Sequence, residues 1–203
     1  MVTGETNTVM EKEIILSMFK KTGALLEGHF RLTSGLHSAQ YFQCAKVLQY
    51  PEYAAMLCRT IADSFREERI DAVVAPALGG IIVGQEVGRQ LNVRSMFTER
   101  KEGTMQLRRG FEIHKDERVL VCEDVVTTGG SVAEVIRIVT SLGGKVAGVG
   151  YIVDRSGGKV EFDVPDRSKQ VALLHMNVES WPGDACPLCA RGIPVVKPGS
   201  RER

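Results

Sequence analysis

Val119-Leu-Val-Cys-Glu-Asp-Val-Val-Thr-Thr-Gly-Gly-Ser131 is the stretch on which the fold turns. An unbroken apolar run ends in two adjacent carboxylates, Glu123 and Asp124. Two more apolar residues follow, then a turn of hydroxyls and glycines. A run that is apolar at every position fits a strand buried on both faces, the pattern of a parallel sheet covered by helices. Gly129-Gly130 opens a helix predicted over 131–142, and Gly143-Gly144 closes it. Thr127, Thr128 and Ser131 offer hydroxyl donors, and the glycines let backbone amides approach an anion closely. The helix start adds unpaired N–H groups and a positive dipole end, so the turn is a cup for a phosphate. Two carboxylates beside it would repel phosphate, and sugar hydroxyls or a divalent cation suit them better. A glycine turn alone is usually only a turn. The whole run from 119 to 131 points to a sugar phosphate. It is neither a Walker A loop, since no Gly-Lys-Ser/Thr follows, nor a dinucleotide GxGxxG.

The same alternation of strand, glycine turn and helix recurs on either side. Residues 71–76 read as a buried strand, Gly79-Gly80 as a turn into a helix over 81–91, and 93–98 as the next strand. Further strands are predicted at 145–153 and 170–175. This is the signature of a doubly wound α/β fold with a parallel sheet. Ligands in such folds bind at the carboxyl ends of the strands, here the junctions at 76–80, 123–131 and 154–158. Upstream, 11–21 predicts a helix with Ile14, Ile15, Met18 and Phe19 on one face, ended by Gly23. Residues 28–50 read as short strands and turns, with Ser34-Gly35 the clearest turn. Pro51 opens a helix to about Glu68 with Ala55, Leu57, Ile61, Ala62 and Phe65 inward. Residues 99–116 show no clean period and read as a long loop or ribbon. Residues 179–203, rich in Pro, Gly and Arg, read as an arm, with Trp181-Pro-Gly-Asp184 packed on the domain. The expectation is one domain over 1–203, with hood elements in about 1–50 and the arm at 179–203.

The chain has 203 residues, 43% hydrophobic and 25% charged, with a net charge of +1. That length suits one domain with its own core. The balanced charge argues against a generic nucleic-acid or membrane binder, so any anion site must come from local placement of charge. No apolar run reaches 18 residues, and 1–10 lacks a secretory pattern. Five cysteines are too scattered for a disulfide framework. The expected setting is the cytoplasm.

Residues 119–131 resemble the phosphoribosyl-pyrophosphate (PRPP) motif of the type I phosphoribosyltransferases. Phe30-Arg-Leu-Thr-Ser-Gly-Leu-His-Ser-Ala-Gln-Tyr-Phe42, Glu99-Arg-Lys-Glu-Gly103 and Val153-Asp-Arg155 are similar, in order and spacing, to the orotate branch of that family. The resemblance spans about residues 10–175. It implies a doubly wound parallel sheet with an N-terminal hood and a C-terminal arm. The implied reaction joins orotate to PRPP, giving orotidine 5′-monophosphate and pyrophosphate in pyrimidine biosynthesis. It also implies Mg2+ held mainly by PRPP and water, with no direct protein ligand, and a homodimer whose mobile loop acts in trans. By resemblance, Glu123, Asp124 and Lys101 are catalytic. Arg100, Lys101, Glu123, Asp124, Val125, Val126, Thr127, Thr128, Gly129, Gly130 and Ser131 bind PRPP. Tyr41, Phe42, Thr127 and Arg155 bind orotate.

The sequence also departs from the family pattern. Thr33 and Gly79 stand where relatives often carry Lys, and 103–106 lacks the expected Lys and His. Between 94 and 109, five cations face two acids. Arg108 or Arg109 is therefore expected to face the site when the loop closes, against the plainer view that both are solvated. Two other functions stay open: a purine-type transferase, and a PRPP-sensing regulator without turnover. Tyr41-Phe42 and Arg155 oppose the first, and the lack of a DNA-binding module opposes the second. Cys186-Pro-Leu-Cys189 has metal-ligand spacing, but structural zinc wants four ligands and no second pair lies near it in sequence. His175 and Cys122 are distant. Zinc binding and redox function stay open for this pair, the favoured reading is a turn with two buried thiols, and His29 and His37 are taken as structural.

Overall fold

The computed structural model describes residues 12–32, 34–165 and 169–198. The stretch 1–10, Thr33 and the end of the arm lie outside the described residues. Helices α1 (Lys12–Lys21), α2 (Ala45–Leu48), α3 (Pro51–Ser64), α4 (Gly79–Leu91), α5 (Gly130–Ser141) and α6 (Pro187–Ala190) accompany nine strands among the described residues. These are β1 (Leu25–Arg31), β2 (His37–Phe42), β3 (Ala72–Pro76), β4 (Arg94–Lys101), β5 (Thr104–Leu107), β6 (Arg118–Val126), β7 (Lys145–Asp154), β8 (Gln170–His175) and β9 (Ser180–Trp181).

The larger sheet has the order β5-β4-β3-β6-β7-β8 and is parallel except for the β4–β5 pair. From β3 the chain passes through α4 to β4 on one side, while β6 lies on the other. The strand order thus reverses between β3 and β6, which opens a crevice at their carboxyl ends. Both faces are covered, which is why the strands read as unbroken apolar runs. On one face Val73, Ala75, Leu120 and Cys122 pack against Phe19 of α1, Ile61 of α3 and Val83 and Val87 of α4. On the other, Val74, Val119, Val121 and Val149 pack against Val132, Val135, Ile136 and Val139 of α5.

Helix α3 lies close over β7. A Cβ on Gly148 would stand 2.3 Å from Phe65 Cε1 and 2.7 Å from the carbonyl oxygen of Lys169. Gly148→Ala is therefore expected to destabilise the fold by about 1–3 kcal/mol, the usual cost of overpacking. Urea unfolding checks it, and an unchanged midpoint would contradict the close packing.

Several expectations shift in detail. Ile14 is 45% exposed, and the buried stripe of α1 is Ile15, Met18 and Phe19. Ala55 is only half-buried, while Ala54 and Cys58 are buried, so the inward face of α3 is rotated from the one read in sequence. That helix stops at Ser64 rather than Glu68, and α4 begins at Gly79, two residues early. Of the two readings of 99–116, the ribbon is the one formed, by β4 and β5 around Glu102-Gly103.

The smaller sheet, β1-β2-β9, forms a hood over the crevice. Its third strand belongs to the C-terminal arm, and Val196 adds a parallel bridge to Phe30. The expected pair of buried thiols is corrected: Cys186 is buried but Cys189 is exposed. His29 and His37, taken as merely structural, lie beside them. Among the described residues, no helix is long and apolar enough to cross a membrane.

Candidate functional site

A cleft of about 830 Å³ opens between the hood and the carboxyl ends of β3, β6 and β7. Ala77, Leu78 and Gly79 line it from the β3–α4 turn, and Asp124, Val125, Thr127 and Thr128 from the β6–α5 turn. Arg155 follows β7, and Tyr41, Phe42, Gln43 and Cys44 descend from β2. The three junctions read from sequence thus meet in one cavity at the switch point of the sheet.

The turn read as a phosphate cup lies between β6 and α5. Gly129 caps α5 with φ +75°, a left-handed conformation that disfavours any side chain. A Cβ there would also stand 2.6 Å from Val160 and 2.9 Å from Phe162. A glycine cap has no side chain to satisfy the first-turn N–H groups, so these donors stay open to a ligand. Thr127 and Thr128 are exposed beside them. Helix α4 starts at the same cleft, at the 76–80 junction read from sequence. A Cβ on Gly79 would lie 2.2 Å from Asp124 Oδ2, so this position is glycine because the carboxylate packs on its backbone. Two helix starts face one cavity and together favour a ligand with two anionic groups.

Glu123 is 7% exposed and Asp124 is half-buried at the end of β6. The Asp124 amide donates to Glu123 Oε1 at 3.0 Å, and the Val125 amide donates to Asp124 Oδ1 at 2.8 Å. Burial, and then the charge of Asp124, push the Glu123 carboxyl well above the ordinary carboxylate range. Burial raises Asp124 as well, against the hydrogen bonds it receives. Two carboxyls so close and so buried favour sharing a proton when the cleft holds no cation. Cys44 beside them is buried, and burial raises its thiol well above the ordinary value, so it is no nucleophile here.

Arg155 is the cation of the cleft. Its amide donates to the carbonyl of Val126 at 2.8 Å, which anchors it beside the cup. Its Nε is buried and, among the described residues, without a partner. Burial holds the guanidinium below its ordinary value, partly offset by Tyr41 and Cys44. The adjacent Asp154 does not neutralise it. Asp154 Oδ1 accepts from the Ser156 amide and hydroxyl, both at 2.7 Å, and Oδ2 from the Gly158 amide at 2.8 Å. His175 Nδ1 lies 2.9 Å from the same Oδ2. Burial would raise the Asp154 carboxyl, but these hydrogen bonds outweigh it and hold the group below its ordinary value. A desolvated, unpaired guanidinium fits a planar carboxylate ligand.

The sequence candidates are thus partly united. Tyr41, Thr127, Thr128, Asp124, Val125 and Arg155 line the cleft together. Phe42 reaches it only at its edge, because its ring packs on Phe19 in the core at 5.8 Å between centroids. Arg100 and Lys101 do not line the cleft of their own chain. Arg100 sits on the ribbon, bonded to Glu134 and to the carbonyl of Gly103, both at 2.8 Å. Arg108 and Arg109, expected to compensate for missing lysines, both pair with Glu99, at 3.2 and 2.9 Å. Arg109 also lies over the ring of Phe97. Neither arginine lines the cleft of its own chain in this arrangement of the ribbon.

The family model for the phosphoribosyl transferase domain matches residues 46–181. The orotate phosphoribosyltransferase of Caldicellulosiruptor saccharolyticus is 56% identical over 193 residues, which are 95% of this chain and 99% of that protein. Among solved structures, the orotate phosphoribosyltransferase from Aeropyrum pernix is similar with a TM-score of 0.67 and 25% identity, covering 80% of this chain and 93% of the other. The adenine phosphoribosyltransferase from Rhodothermus marinus reaches a TM-score of 0.65 at 20% identity, over 81% of this chain and 99% of that one. The last shows that the fold alone does not choose the base.

Proposed function

The chain belongs to the phosphoribosyl transferase family, on its orotate phosphoribosyltransferase branch, and from that premise we propose the part each residue of the cleft takes. It is an enzyme of pyrimidine biosynthesis that joins orotate to PRPP, releasing orotidine 5′-monophosphate and pyrophosphate. The 5′-phosphate sits in the cup of Thr127, Thr128, Gly129, Gly130 and Ser131, against the start of α5. The pyrophosphate lies toward the start of α4, at Leu78-Gly79. This second helix start supplies part of the positive field that lysines at 33 and 79 supply in relatives. Glu123 and Asp124 hold the ribose hydroxyls.

Departure of pyrophosphate leaves positive charge on the ribose ring, and an orotate nitrogen attacks its opposite face. Asp124 stabilises that charge from a half-buried position, where a fixed charge acts more strongly than in water. Arg155 takes the orotate carboxylate, and the backbone at Tyr41-Phe42 the pyrimidine edge. Magnesium suits the cleft as a companion of PRPP. Glu123 Oε1 and Asp124 Oδ1 already accept backbone amides, which leaves too few free oxygens for a protein cage. When bound, it supplies charge neutralisation to the leaving pyrophosphate. Lys101, with Arg100 behind it, acts on the cleft of a second copy in a homodimer. A cytoplasmic setting suits the five free thiols.

The observation that carries the choice of orotate is Arg155, a buried cation with no carboxylate partner among the described residues, beside the cup. Turnover with orotate, PRPP and Mg2+, compared with adenine and hypoxanthine in place of orotate, tests it. A purine preference, or PRPP binding without turnover, would overturn it. Arg155→Ala is expected to raise KM for orotate about ten- to a hundredfold, from the loss of a charged contact of about 1.5–3 kcal/mol. KM for PRPP should change little. Arg155→Lys should recover only part, since an ammonium lacks the planar fork. Equal effects on both substrates would remove Arg155 from the carboxylate.

A further inference from the structure

We propose that His29, His37, Cys186 and Cys189 form a structural zinc site that staples the C-terminal arm to the hood. The ligand atoms of these four residues all lie within 4.8 Å of one another. The Sγ–N separations are 3.5 Å for Cys186 to His29 Nε2, 3.8 Å for Cys189 to His29 Nε2 and 3.3 Å for Cys189 to His37 Nδ1. A tetrahedral ion with Zn–N of about 2.0–2.1 Å and Zn–S of about 2.3 Å sets edges of about 3.3–3.8 Å between its ligands. These three sulfur–nitrogen separations fall on those edges, and the remaining sulfur pairs lie within 4.8 Å. The imidazole nitrogens, now 2.8 Å apart, need to open by about 0.5 Å for the same geometry.

The surroundings orient the ligands. His29 Nδ1 lies 2.7 Å from the carbonyl oxygen of Ile193. A carbonyl only accepts, so Nδ1 carries the proton and Nε2 presents its lone pair to the cluster. His29 is 3% exposed and Cys186 also 3%, so the site is shielded on that side. Backbone pairing fixes the arm on two flanks. Trp181 pairs with His37, and the amide of Val196 donates to the carbonyl of His29 at 2.8 Å. Two thiols and two imidazoles are a soft, closed set suited to zinc rather than to magnesium or calcium. Without an ion, both thiols crowd the single Nε2 lone pair to which His37 already points.

The site is separate from the catalytic cleft but shares β2 with it. His37 begins that strand, and Tyr41 and Phe42 end it in the cleft. Ser180 of the arm and Val178 just before it line the cleft as well. An ion that joins residues 157 positions apart thus holds the orotate end of the hood in place. The four ligands hold the ion whichever base the enzyme takes.

The test uses the full chain, purified under reducing conditions without a metal-affinity tag. Elemental analysis is expected to find one zinc per chain. Replacement by Co2+ is expected to give thiolate-to-metal charge transfer and the intense visible bands of a tetrahedral site. Cys189→Ser, at the exposed ligand, should weaken those bands, and Cys186→Ser should abolish them. Zinc removal should lower the melting temperature and raise KM for orotate more than it lowers kcat. A chain that stays zinc-free after Zn2+ is offered would overturn the proposal. So would a cobalt spectrum without thiolate bands, or an intact mass showing Cys186 and Cys189 joined as a disulfide.

Discussion

Asp124→Asn is expected to lower kcat by about a hundred- to a thousandfold, the usual range for losing one preorganised electrostatic contact. The fold should survive, and the physical reason is the same burial that makes the residue effective. Burial holds the Asp124 carboxyl above its ordinary value. A folded state with a raised carboxyl pKa binds more protons than the unfolded chain between the two values. Stability therefore falls as pH rises through that window and stays reduced above it. An amide carries no such penalty, and its oxygen still accepts from the Val125 amide. The variant should thus melt at or above the wild-type temperature at neutral pH while turning over very slowly. In the wild type the acid limb of kcat/KM, which reports the free enzyme, should lie above the ordinary carboxylate range, since the ionised form is the useful one. Pre-steady-state and steady-state turnover, with melting curves on the same samples, check both halves. Near-normal kcat would remove Asp124 from the mechanism.

What sequence discloses here follows from how local each constraint is. The strand and cup of 119–131 are legible because burial on both faces imposes an apolar run. The turn that follows carries its chemistry on consecutive residues. Arg155, directly after β7, is legible through the resemblance of Val153-Asp-Arg155, since nothing local to it shows that its guanidinium is buried without a partner among the described residues. The ribbon of β4 and β5 is ambiguous because β5 sits at the edge of the sheet, and only Met105 of that strand is buried. Its residues therefore show no period to read. Gly79 looks like a missing lysine in sequence. Its cause is a tertiary contact with Asp124, 45 positions away, and nothing near 79 announces it.

The histidine–cysteine cluster marks the limit most clearly. Cys186 and Cys189 have metal spacing, but the other two ligands lie on β1 and β2 at the opposite end of the chain. His29 and His37 sit eight residues apart on antiparallel strands whose register shifts between Glu27 and Phe30. That irregularity turns His29 toward His37, and no sequence periodicity encodes it. The hidden feature is the pairing of the arm with β2, a long-range contact that only the assembled hood reveals.

Lys101→Ala is expected to be nearly as damaging as Asp124→Asn, although Lys101 lies outside the cleft of its own chain. The ribbon holds it exposed, and its neighbour Arg100 is pinned by Glu134 on α5. Among the described residues no carboxylate pairs with Lys101, so its charge is free for the pyrophosphate of a second copy. Removing it should cost about a hundredfold in turnover, as expected for one transition-state contact. Mixing decides between action in cis and in trans. Lys101→Ala and Asp124→Asn chains, each nearly inactive alone, are combined one to one and allowed to exchange subunits. If the ribbon acts in trans, each mixed dimer holds one cleft with both defects and one with neither. Random exchange then restores roughly a quarter of wild-type activity, by the symmetry of a two-fold dimer. If the ribbon serves its own chain, every cleft in the mixed dimer keeps one defect and nothing returns. The absence of recovery, with exchange shown by mass-labelled chains, would place Lys101 in cis and require the ribbon to swing across its own sheet to reach the pyrophosphate.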